Sequence, residues 1–64
     1  MDVFDLLQIV DENTNLDLEL IGDSDFMSLG YVGGDVITDG DEIDIVKRLR
    51  QIIHESGAGH ELDV

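Results

Sequence analysis

The chain has 64 residues and a formal net charge of −13, from 16 Asp and Glu against 3 Lys and Arg. That length holds one domain with a small core, since a chain this short buries only about 60% of its unfolded surface. Without cysteine it has neither disulfides nor a thiolate metal site, and a field this negative excludes direct binding of nucleic acid or anionic lipid.

Disordered acidic chains lack apolar residues; here 42% are hydrophobic and regularly spaced. No run approaches the ~18 apolar residues of a membrane span. Met1-Asp2-Val3-Phe4-Asp5 has no basic start, so it is not a signal peptide, and a cytoplasmic protein is expected.

Residues 3–12, VFDLLQIVDE, carry a broad apolar stripe at Val3, Phe4, Leu6, Leu7, Ile9 and Val10, which predicts a helix. Asp2 is its expected N-cap, and Asn13-Thr14-Asn15 turns the chain. Residues 16–21, LDLELI, alternate: Leu16, Leu18 and Leu20 inward, Asp17 and Glu19 outward, as in a half-buried strand. Gly22-Asp23-Ser24-Asp25 forms a turn, and a second strand over 26–32 sets Met27, Leu29 and Tyr31 on one face. After Gly33-Gly34-Asp35, Val36-Ile37 extends the sheet only briefly.

A second helix spans 41–55, with Ile43, Ile45, Val46, Leu49, Ile52 and Ile53 on its apolar face. Asp39 and Glu42 have capping-box spacing. Acids at its start and bases later suit the helix dipole, and Gly57 stops it. A last short strand at 60–64 is preferred to a loose tail, because His60, Leu62 and Val64 share a face. The fold expected is one α+β domain over 1–64, α-β-β-α-(β), with two helices on one face of a short antiparallel sheet.

Charge is unevenly placed. Residues 1–46 hold thirteen acids and no Lys or Arg; the three bases are Lys47, Arg48 and Arg50. Asp44 stands three and four residues before Lys47 and Arg48, the spacing of helical ion pairs. The same bases can instead mark a patch that meets the acidic end of a second copy across a two-fold axis.

Three chemical motifs are incomplete. Asp35-Val36-Ile37-Thr38-Asp39-Gly40-Asp41 resembles the start of a calcium loop, with Asp35, Asp39, Asp41 and Asp44 as candidate ligands. Ile37 and Val46 stand where that loop needs oxygen, so an acidic cap for the following helix is the stronger reading. His54, Glu55, His60 and Glu61 are metal-ligand types without a defined spacing. GYVGG at Gly30–Gly34 lacks the Lys and hydroxyl of a phosphate loop. No catalytic set emerges, and neither an enzyme nor a cofactor is expected.

The remaining signal is the acidity itself. Side chains two apart on a strand lie roughly 6.6 Å apart on one face, a step comparable to that between DNA phosphates. Asp17 and Glu19 have this spacing, Asp23 and Asp25 extend it through the turn, and Asp39, Asp41 and Glu42 add acids near the second helix. Such a surface suits a basic groove built for nucleic acid. The bland alternative is a solvated face that serves solubility.

The pattern V-x-DLL-x-x-V-D-x-NT-x-L-x-L, Val3 to Leu18, followed by a hairpin and a helix, resembles small acidic accessory proteins of phages and mobile elements of Gram-positive bacteria. That resemblance implies action on host machinery, including inhibition of defence nucleases in the manner of an anti-CRISPR protein or DNA mimic. It carries no site residues. The expected partner is a basic, nucleic-acid-handling host protein such as a nuclease or defence complex. It is contacted by Asp17, Glu19, Asp23, Asp25, Asp39, Asp41 and Glu42. The alternative is a regulatory dimer joined through Phe4, Leu7, Tyr31 or Ile53.

Overall fold

The structure, a computed structural model, describes residues 1–23 and 25–63. Helix α1 spans Val3–Asn13 and opens on a capping box made of two aspartates. The Asp2 carboxylate accepts from the Phe4 and Asp5 amides at 3.0 Å, and Asp5 accepts from the Asp2 amide at 3.3 Å. Only Val3, Leu6 and Val10 are fully buried, the i, i+3, i+7 row that one helix face provides. Leu7 and Ile9 flank them half-buried, and Phe4 points to solvent. Thr14 ends the helix by donating its amide and hydroxyl to the Val10 carbonyl.

Strand β1, Leu18–Gly22, pairs antiparallel with β2, Met27–Tyr31, in unbroken register from Leu18↔Tyr31 to Gly22↔Met27. Asp23 closes the turn: its amide donates to Phe26 O at 3.1 Å, and its carboxylate accepts from the Asp25 and Phe26 amides. Gly22 sits at φ +109°, where a Cβ would run into the Phe26 carbonyl.

The chain then makes a full third strand, β3, Val36–Gly40, in the order β1-β2-β3. This corrects the brief extension expected at Val36-Ile37. Leu29 pairs with Thr38 and Gly30 with Val36, so Ile37 is the extra residue of a β-bulge. The bulge lets Ile37 pack against the core although strict alternation from Thr38 would turn it outward. Gly30 makes the close crossing feasible, since a Cβ there would meet the Asp35 carbonyl at 2.9 Å.

Helix α2 spans Glu42–Glu55 and buries Ile45, Leu49, Ile52 and Ile53. Its cap is Asp41, which accepts from the Asp44 amide at 3.0 Å. The expected Asp39–Glu42 box does not form, because Asp39 belongs to β3. The helix ends in a Schellman turn: Gly57 at φ +82° donates to His54 O, and Ala58 to Ile53 O. That turn folds the tail back onto α2, with Ala58 buried and Leu62 packed against the core. Gly59–Asp63 is therefore a 3-10 turn and not a strand; Val64 lies outside the described residues.

The expected α+β architecture holds. α2 lies against β3 and β2, and α1 packs along α2. The core joins Leu6, Leu29, Ile45, Leu49 and Ile53, each at most 1% exposed. Ile53 is thus a core residue and not a dimer contact. The opposite sheet face is uncovered and presents Glu19, Ile21, Val36 and Asp39. Among the described residues no helix is long and apolar enough to cross a membrane.

Candidate functional site

The seven acids singled out in the sequence are all exposed, and the fold distributes them over two connected places. Glu19 and Ile21 of β1 face the uncovered side of the sheet, Asp17 precedes the strand in the same alternation, and Asp23 follows it with its carboxylate in the hairpin turn. Asp39 stands on the same face in the next row, in register with Ser28, which itself pairs with Ile21. At the other place the hairpin tip meets the start of α2. There Asp25, Asp41, Glu42 and Ile43 line a shallow depression of about 430 Å³. Asp23 and Asp41 also do structural work, as turn and helix-cap acceptors.

These carboxylates are not neutralised internally. Among the described residues the only side-chain ion pair within 4.0 Å is His60–Glu61, at 3.5 Å. The expected pairing of Asp44 with Lys47 and Arg48 is absent: Arg48 donates to Gln51 at 3.0 Å, and Gln51 donates to Glu55. On this helix a neutral amide competes successfully for the guanidinium, as expected where exposed ion pairs gain little. Lys47 and Arg48 line a separate hollow with Thr38, Asp39, Asp44 and Gln51 beside β3.

The other candidate chemistries do not assemble. The proposed calcium loop is overturned by β3: residues 36–40 form a paired strand, so their backbone cannot wrap around an ion. Among the described residues no group of three or more His, Cys, Asp or Glu is placed to hold a metal ion.

Two features escaped the sequence reading. Ile21 and Val36 are each about 60% exposed on the uncovered sheet face. The phase of LDLELI carried the first signal, since inward leucines at 16, 18 and 20 force Ile21 outward. The second feature is a cleft of about 300 Å³ between α1 and β1, lined by Leu7, Gln8, Val10, Asp11, Leu16 and Leu18. No periodicity points to it, because it arises from the angle between a helix and a strand. No family model, curated protein or solved structure matches the chain.

Proposed function

We propose that the protein is a non-enzymatic inhibitor that occupies a basic, nucleic-acid-binding surface of a host protein in the bacterial cytoplasm. The observation that carries this reading is the unneutralised acidity: Asp17, Glu19, Asp23, Asp25, Asp39, Asp41 and Glu42 are exposed, and none is within ion-pair distance of a base among the described residues. Alternate placement of Asp17 and Glu19 on one sheet face gives the charge a phosphate-like step. The likeness of Val3–Leu18 to phage and mobile-element accessory proteins supports an anti-defence role such as an anti-CRISPR protein or DNA mimic. No metal or cofactor enters this function.

The test is capture of partners from bacterial lysate across a salt series, followed by competition. A nucleic-acid-binding protein that is released by salt and displaced by duplex DNA supports the reading. A partner indifferent to both refutes it. A second reading, self-association with acidity serving solubility, is favoured by exposed Ile21 and Val36. A dimer that persists at high salt in sedimentation, and dissociates on Ile21→Asn, would establish it.

A further inference from the structure

We propose that the outer edge of β1 is a strand-docking site: an extended partner segment with alternating basic and apolar side chains adds to the sheet as a fourth strand, its apolar side chains entering the cleft between α1 and β1. The proposal deepens the basic-partner reading and rests on it.

The backbone supplies the first observation. Val32 N donates to Asp17 O at 2.9 Å, and Asp23 N donates to Phe26 O at 3.1 Å. An antiparallel ladder alternates, so Asp17, Glu19, Ile21 and Asp23 direct their backbone groups toward β2. Leu18 and Leu20 then direct N–H and C=O toward the open edge, where no strand lies among the described residues. This edge is regular over all five residues of β1, about 17 Å of pairing surface.

The two edges of the sheet differ. β3 is interrupted by the bulge and lies beside the charged hollow of Asp44, Lys47 and Arg48. Bulges and charges are the devices by which proteins close an edge to pairing. β1 has neither interruption nor lysine, and beside it runs the cleft of Leu7, Val10, Leu16 and Leu18. An available ladder next to a cleft whose Leu7, Val10, Leu16 and Leu18 are joined by Gln8 and Asp11 is what strand addition requires: backbone bonds supply affinity and a side-chain pocket supplies specificity.

Charge selects the occupant. If two copies paired antiparallel about Leu20, each Asp17 would face the partner's Asp23, and like charges directly opposed are destabilising. The net charge of −13 on each chain adds to that repulsion. A segment with Lys or Arg at every second position instead meets Asp17 and Glu19 on the outer face and Asp23 at the turn. Its intervening aliphatic residues meet Leu18, Leu20 and the cleft on the inner face. The backbone groups that bond to β1 belong to those aliphatic residues.

The experiment is an NMR titration of the full chain with three short end-blocked peptides of matched charge. One alternates Lys and Val, one carries the same residues in two blocks, and one alternates but is N-methylated at every valine. The alternating peptide is expected to slow amide exchange at Leu18 and Leu20 and to shift the cleft residues. N-methylation is expected to weaken it about tenfold or more, the scale of losing one or two strand hydrogen bonds. Asp11→Lys sets a cation in the cleft that the aliphatic side chains enter and is expected to weaken binding about tenfold, the scale of one desolvated, unpaired charge set against a basic segment. Glu55→Lys makes the same charge change on the Gln51 side of α2 and is expected to cost less than about threefold, the scale of a remote, screened charge. Equal binding of all three peptides, with shifts spread over the acidic surface, would overturn strand docking and leave the basic-partner reading standing. No binding of any basic peptide at low salt would overturn both.

Discussion

Replacing Asp41 separates two jobs that an acid at a helix start performs. Its carboxylate accepts the Asp44 amide at 3.0 Å, and its charge joins Asp25 and Glu42 around the shallow depression. Alanine removes both; asparagine keeps an acceptor and removes only the charge. Loss of an N-cap acceptor costs about 1 kcal/mol, while Asn caps about as well as Asp. A domain of this length has a total stability of about 3–10 kcal/mol, and 1 kcal/mol shifts the melting temperature by about 4–8 °C. Asp41→Ala is therefore expected to melt about 4–8 °C below the parent, and Asp41→Asn within about 2 °C of it. Thermal denaturation followed by circular dichroism reads both. Binding to a basic partner is expected to weaken equally in the two variants, because each loses one charge. If Asp41→Asn melts as low as Asp41→Ala, the charge at the helix start and not the hydrogen bond is what stabilises α2, and the capping argument is refuted.

Leu29 is fully buried on the central strand, so Leu29→Ala is expected to cost about 2–5 kcal/mol; chemical denaturation checks it, and a loss below 1 kcal/mol would contradict the packing. Gly22→Val places a β-branched side chain at φ +109° against the Phe26 carbonyl and is expected to destabilise the hairpin, read as faster amide exchange at Ser28 and Met27. The triple change Asp17→Asn, Glu19→Gln, Asp39→Asn should leave the fold intact while reducing both affinity for the basic partner and its salt dependence. Unchanged affinity in that variant would remove the uncovered sheet face from the interface. Added salt is expected to raise the melting temperature of the parent while weakening its binding, and a parallel change of both would speak against charge as the binding force.

Both helices and the first hairpin were legible because their apolar residues repeat at helical or strand period: Val3, Leu6 and Val10; Leu18 and Leu20; Ile45, Leu49 and Ile52. The third strand was obscured for a physical reason. A bulge breaks the period-two pattern of VITDG, and Thr, Asp and Gly in that segment read as turn residues. The tail misled in the opposite way. His60, Leu62 and Val64 alternate, but the Schellman turn at Gly57 had already committed the chain to pack back on α2, and alternation over so few residues is weak beside such a constraint. The acids of the candidate site were legible as residue types but not as a surface. Asp25 and Glu42 are distant in sequence, and only the packing of the hairpin tip beside α2 brings them together.

The same charge that recommends this surface for binding works against the fold. Thirteen acids without a base in the first 46 residues repel one another across a molecule measuring only 28 × 23 × 15 Å, and screening at physiological salt acts only beyond about 8 Å. Neutral replacements would relieve that repulsion, and the caps at Asp2 and Asp41 would tolerate asparagine. Solubility needs a net charge of only about 2 to 8 in magnitude for a small domain, well short of −13. On the proposed function, this excess serves contact with a basic partner. The cations of such a partner would remove the repulsion at the moment of contact, so that the electrostatic strain carried by the free protein would become part of the driving force for association.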